Sequence, residues 1–336
     1  MEFPYKTADV TRKSYGVLSD GTPVDAYFLM NRKGLRAEVL AFGGLVDRIV
    51  VIGGDLKKHN VVLGARDLAA YESGEFLSAA LRRGEALDLP VMQVREEGRH
   101  VVMACEIDDP AARGLALELH YALTDANEFV VGREYALSAD APGPVPLPTS
   151  VPLYFNLAGQ EPGNALDHAL AVDAGRACDL VRCGDRAVGA SDFFDVEGTP
   201  ADYRTGKALA EDILLPECLG GDVDGFDVCF EPDAPADGAP RYCATLYCSR
   251  SRVYMDVSTD AALLRLSTFQ PLGGGYVQGK GVSPNGNHSG ILLEPVFEPG
   301  TTLAPGERVS SVAVYRFEAD YPEGYSTDSG NLGAII

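Results

Sequence analysis

A chain of 336 residues, 46% of them hydrophobic, is long enough for one large β domain or two ordinary ones and can bury a sizeable core. Its 49 Asp and Glu against 28 Lys and Arg give a net charge of −21. That balance argues against nucleic acid, whose binding needs phosphates neutralised by Lys and Arg, and against an anionic membrane surface.

Taken in chain order, the opening 1–16 has no apolar core of the signal-peptide kind, and no run of eighteen apolar residues follows, so a cytoplasmic chain with no membrane span is expected. The dominant period is two. Strands are expected at 34–42, 46–52, 91–94, 101–107, 115–123, 129–137, 168–172, 227–230, 242–248, 253–257, 263–269, 291–297 and 312–317. Turn clusters separate them, among them Ser19-Asp20-Gly21-Thr22-Pro23 and Thr124-Asp125-Ala126-Asn127. Two short helices are expected, at 65–71 with Asp67 near its start and at 207–214. Many short strands and few helices imply an all-β sandwich or barrel. A single domain over 1–318 and a C-terminal tail over 319–336 are expected, since no linker divides the chain.

Several chemistries lack their residues. The Gly273-Gly274-Gly275 run follows a strand but opens no helix, so it is a loop and not a dinucleotide fingerprint. No serine sits in a nucleophile elbow, and the five histidines have no ligand-like spacing. Neither a metal nor another cofactor is expected. The seven cysteines, odd in number and scattered, are read as reduced core thiols.

Four segments then stand in a recognisable order. The first runs from Tyr15-Gly16-Val17-Leu18 and Asp20-Gly21-Thr22-Pro23-Val24 through Phe42-Gly43-Gly44 to Asn60-Val61-Val62-Leu63-Gly64 and Leu68-Ala69-Ala70-Tyr71. The second is Tyr154-Phe155-Asn156-Leu157-Ala158-Gly159 with Leu166-Asp167-His168. The third is Gly198-Thr199-Pro200-Ala201-Asp202-Tyr203-Arg204 with Gly225-Phe226-Asp227-Val228-Cys229-Phe230. The fourth is His288-Ser289-Gly290-Ile291-Leu292-Leu293-Glu294. Together they resemble the aldose 1-epimerase (galactose mutarotase) family over nearly the whole chain. The resemblance implies the large antiparallel β-sandwich of the galactose mutarotase-like superfamily, with few short helices. It also implies an isomerase that interconverts sugar anomers through the open chain. That reaction needs a base for the anomeric hydroxyl and an acid for the ring oxygen.

Carried over residue by residue, the resemblance makes Glu294 the base and Asp227 a sugar ligand. The chain departs from the family pattern at Pro152, where the acid His is expected, at Val228, which also replaces a His, and at Leu264, in the place of a Gln. The family's Gly-Arg-x-Ala-Asn-Arg loop is missing between Tyr71 and Val94, with 81–90 as its remnant.

The residues carry bland readings beside these. Glu294 follows three apolar residues, so it needs either a wet cleft or an ion-pair partner. Asp227 is read as an acceptor for sugar hydroxyls or as a ladder cap. Tyr154 offers a stacking face or a weak acid, or packs in the core; with no Trp in the chain, stacking must use Tyr or Phe. Arg82 suits an anionic group on a modified sugar, or a solvated loop. His120 is either a substitute acid in the cleft or solvent-exposed. The expected partner is a small-molecule sugar or sugar derivative, with the chain a monomer or homodimer. The alternative function is a non-catalytic carbohydrate-binding or sensing protein on the same fold.

Overall fold

Apolar–polar alternation builds the sheets. The computed structural model describes residues 9–74, 90–97, 100–107, 112–147, 153–160, 163–183, 186–213, 225–233, 238–269, 279–281 and 284–322. In the strand Leu115–Leu123, Leu119, Tyr121 and Leu123 point to one face and are buried in the main core. A tight turn joins it to Glu128–Leu137. The Thr124 hydroxyl accepts from the Ala126 and Glu128 amides, and Asn127 takes φ 61°, the left-handed conformation Asn tolerates.

The resulting nine-stranded antiparallel sheet runs, in order of neighbours, Lys207–Ala208, Ala169–Val172, Arg241–Cys248, Val253–Thr259, Arg308–Ala319, Glu128–Leu137, Leu115–Leu123, His100–Glu106 and Gln93–Glu97. Facing it is a seven-stranded sheet. There Tyr154–Phe155 pairs with Ile291–Val296, followed by Leu263–Thr268, Asp227–Glu231, Arg176–Cys183 and Arg186–Ala190, with Phe194–Asp195 also pairing with Arg176–Cys183. A five-stranded meander, from Asp9–Val17 to Lys58–Asn60, lies beside this second sheet. The two are joined where Leu63 donates to the Tyr154 carbonyl and Asn156 donates to that of Val61. Residues from these three sheets, including Ile49, Leu119, Tyr315, Leu266 and Leu293, make one core. The protein is thus a large antiparallel β-sandwich, as the sequence implied. Among the described residues, no helix is long and apolar enough to cross a membrane.

Two expectations shrink. The first helix covers Leu68–Glu72, with the Asp67 carboxylate capping the Ala70 amide at 2.9 Å. The second is only the 3-10 turn Leu209–Glu211, preceded by a two-residue strand. Lys207 and Ala208 are held extended by pairing with Leu170 and Ala169, so the residues that would open the helix are committed to the sheet. Asp320 and Tyr321, in the expected tail, still bond to the body, through the Arg252 and Ile52 carbonyls. The five described cysteines are free; four are buried, and Cys178 stands opposite Cys229 across a strand pair.

Candidate active site

Register decides which side chains share a face. Leu264 pairs with Pro295, Arg265 with Glu294, Leu266 with Leu293 and Ser267 with Leu292. Leu264, Leu266, Ile291 and Leu293 all belong to the inter-sheet core. Alternation therefore turns Arg265, Ser267, Leu292 and Glu294 to the opposite face of the seven-stranded sheet. Asp227 pairs with Ser267, and Tyr154 with Leu292, so both share that face. Three of the four sequence candidates, Glu294, Asp227 and Tyr154, are thereby brought together. Arg82 lies outside the described residues, as do Pro152 and the glycine run 273–275.

The same register revises two departures from the family pattern. Val228 is 5% exposed and sits in the inter-sheet core, so it points away from the face that carries Asp227. Leu264 is likewise a core residue. The side chain that this strand presents beside the carboxylates is Arg265.

Arg265 and Arg133 are the site residues that the sequence reading missed. Arg265 Nε donates to Asp227 Oδ1 at 2.8 Å, and its Nη1 lies 4.0 Å from Glu294 Oε2. Burial disfavours the charged guanidinium, but Asp227, Tyr154 and Glu294 outweigh it, and the Arg265 pKa is raised. Arg133, on Glu128–Leu137 of the facing sheet, places Nη1 3.7 Å from Glu294 Oε1 and donates through Nη2 to the Pro295 carbonyl. Asp227, Glu294 and Arg133 are 2%, 4% and 6% exposed, so these charges sit where each needs the others. One signal was available: each Arg is a lone cation in a β-period apolar run, as Glu294 is a lone anion after three apolar residues.

Tyr154 meets Phe269 edge-on at 5.3 Å. Its cluster with Leu292, Leu63 and Tyr71 leads to a second buried polar group. There Asp47, a bulge residue skipped between the Glu38–Arg48 and Val39–Val46 pairs, accepts from Tyr71 at 2.9 Å, Tyr15 at 3.2 Å and Lys280 at 2.8 Å.

His120 is neither exposed nor in this site. It is 3% exposed, projects from the face opposite Leu119 and Tyr121, and stacks on His100 at 6.1 Å. His168 accepts from the Leu157 amide at 3.0 Å and so holds the Asn156-Leu157 turn. Among the described residues, no group of three or more His, Cys, Asp or Glu is placed to hold a metal ion.

The face thus gathers two carboxylates, a phenol and a guanidinium. Solved structures with the same fold include a galactose 1-epimerase from Lactobacillus acidophilus NCFM, at 19% identity and TM-score 0.68, covering 93% of this chain and 99% of that one. A GalM/aldose epimerase homologue from C. elegans is similar at 16% identity and TM-score 0.68, covering 88% and 99%. A putative aldose 1-epimerase from Escherichia coli K12 follows at 13% and 0.53, covering 88% and 100%. At such identities the likeness concerns the fold. No curated protein matches the chain. The aldose 1-epimerase family model matches residues 111–316, well over half of the chain and including Asp227, Arg265, Arg133 and Glu294. On that match, the chain belongs to the aldose 1-epimerase family.

Proposed function

We propose that this protein is an aldose 1-epimerase-like isomerase that interconverts the anomers of a sugar or sugar derivative. The observation that carries the reading is the placement of Glu294 and Asp227 on one sheet face, in a member of this family, with Arg265 between them. Glu294 takes the proton from the anomeric hydroxyl as the bond from C1 to the ring oxygen breaks. Asp227 accepts hydrogen bonds from sugar hydroxyls. Charge developing on the ring oxygen is met by the Arg265 guanidinium, a fixed cation in a buried setting. The proton for that oxygen comes from the Tyr154 phenol, in the place of the imidazole that the family resemblance leads one to expect. Rotation about the C1–C2 bond and the reverse steps then give the other anomer.

The second reading is a non-catalytic sugar-binding or sensing protein. It is favoured by the guanidiniums beside Glu294, which compete for the lone pairs a base must use.

The test is the optical rotation of freshly dissolved α-D-glucose and α-D-galactose, with the protein, with Glu294→Gln, and with neither. Faster relaxation that Glu294→Gln reduces by about 10²- to 10⁴-fold is the expected result. A protein that binds either sugar without accelerating relaxation would establish the second reading.

A further inference from the structure

We infer that Arg133 is a positioning residue for Glu294, holding the carboxylate from the side away from the sugar. The inference rests on the proposed role of Glu294 as base.

Arg133 is out of character with its surroundings. On the same face of its strand, Phe129, Val131 and Tyr135 pack into apolar clusters. Taking a guanidinium out of water among them carries a heavy desolvation cost. An apolar side chain would fill that position without it, so packing alone does not account for the charge.

Its described acceptors explain the charge. One nitrogen of the planar fork holds the Pro295 carbonyl, and another faces Glu294 Oε1 at 3.7 Å. The two acceptors belong to consecutive residues of one strand. Gripping the main chain of one and the carboxylate of the other fixes the Glu294 side chain relative to its own backbone. The strand pairing explains how a residue of the facing sheet reaches it. Tyr154–Phe155 covers only Leu292 and Ile291, so past that short partner the described strand is an edge that Arg133 can approach.

Two neighbouring hydroxyls do not compete. Tyr121 donates its single proton to the Gly44 carbonyl, and Tyr315 donates to that of Leu293. Tyr135 is near enough to feel both Arg133 and Glu294. A cavity of about 30 Å³ separates these groups, lined by Leu119, Tyr121, Arg133, Leu153, Glu294 and Tyr315. It has room on the order of one water, far less than a sugar needs. Arg133 therefore acts on the base and not on the substrate. The division of labour is that Arg265, shared with Asp227, faces the sugar, while Arg133 sets the aim of Glu294.

The experiment compares the full-length protein with Arg133→Met, Arg133→Lys, Glu294→Gln and the Arg133→Met/Glu294→Gln pair. For mutarotation, Arg133→Met is expected to lower kcat about 10- to 100-fold with KM within a few-fold, as misaim of a catalytic group does. Arg133→Lys should recover part of the loss, and Arg133→Met should cost nothing further once Glu294 is Gln. An unchanged kcat, or losses that multiply in the double variant, would overturn the inference. Urea unfolding provides a readout that does not depend on activity. If Arg133 serves Glu294, the double variant unfolds at higher urea than Arg133→Met alone, because Glu294→Gln removes the stranded charge. Shifts in midpoint that simply add would refute it. A wild-type protein without mutarotase activity would sink the proposed function, and the urea comparison would still decide for or against Arg133.

Discussion

Arg265 stands directly opposite Glu294 across two paired strands and reaches diagonally to Asp227, so one guanidinium joins the two carboxylates of the site. Removing one member of a buried charged group leaves the others uncompensated, which costs about 3–5 kcal/mol. Arg265→Met is expected to destabilise by that order, measured by urea unfolding. Adding Asp227→Asn should return part of the loss, since the stranded charge goes with it. Arg265→Lys should fall between, because a point charge cannot address both carboxylates as a fork does. A stability for Arg265→Met within about 1 kcal/mol of wild type would show the cation to be dispensable.

The sandwich was legible because period-two alternation survives in nearly every strand, as in Val253, Met255 and Val257, all core residues here. The Arg176–Cys183 strand was not read, since polar residues interrupt its apolar ones. The helix expected at 207–214 was lost to strand pairing of Lys207 and Ala208 with Leu170 and Ala169, far back in the chain, which no local pattern announces. Glu294 and Asp227 were found through family spacing. Arg265 was passed over because matching segment to segment put Leu264 at the site, and a slip of one residue along a strand exchanges the two faces. Only the observed register with Glu294 identifies the outward side chain. For Arg133 the lone charge in an apolar strand was legible but its role was not, since its partner lies 161 residues further on, in the facing sheet.

Tyr203 anchors the strand that carries Asp227. It is 1% exposed and meets Phe226 edge-on at 5.8 Å and Phe230 at 6.5 Å, with Lys207 Nζ 4.6 Å from its ring centre. Those two phenylalanines lie on either side of Asp227 in sequence. Tyr203→Ala should cost about 3–5 kcal/mol in urea unfolding, through the cavity it leaves. Tyr203→Phe keeps the ring and should cost far less. Equal losses for the two would shift the weight from ring packing to the hydroxyl.

Glu38 gives a pH-dependent prediction. Burial, and next the charge of Asp47, raise its pKa, while Arg48, Lys280 and Lys13 pull the other way; Tyr15 also faces this group. A raised folded-state value means that the contribution of Glu38 to stability is fully present below the unfolded pKa of about 4.3. It is lost as pH rises through the folded pKa. Each unit of such a shift is worth about 1.4 kcal/mol. Arg48, 3.4 Å away but half-exposed, offsets little of it. Glu38→Gln should therefore gain on wild type as pH rises from 4 to 8, read from urea midpoints at both pH values. The same difference between the two proteins at pH 4 and pH 8 would contradict the argument.

Gly290 controls the seat of Tyr154. A Cβ on this residue would lie 2.7 Å from Leu63 Cδ1 and 3.0 Å from Tyr154 Cβ, the first closer than real Cβ atoms approach. Gly290→Ala must then displace one or both neighbours, an overpacking that costs about 1–3 kcal/mol. Leu63→Ala removes one obstacle, so Gly290→Ala/Leu63→Ala is expected to be more stable than the two separate losses predict. It leaves the obstacle at Tyr154, whose ring is held by Phe269 and whose backbone pairs with Leu292. Mutarotation by the double variant should therefore stay below that of Leu63→Ala alone. Activity equal to that of Leu63→Ala would mean that Tyr154 tolerates displacement, and the phenol would lose its assigned part in the proton transfer.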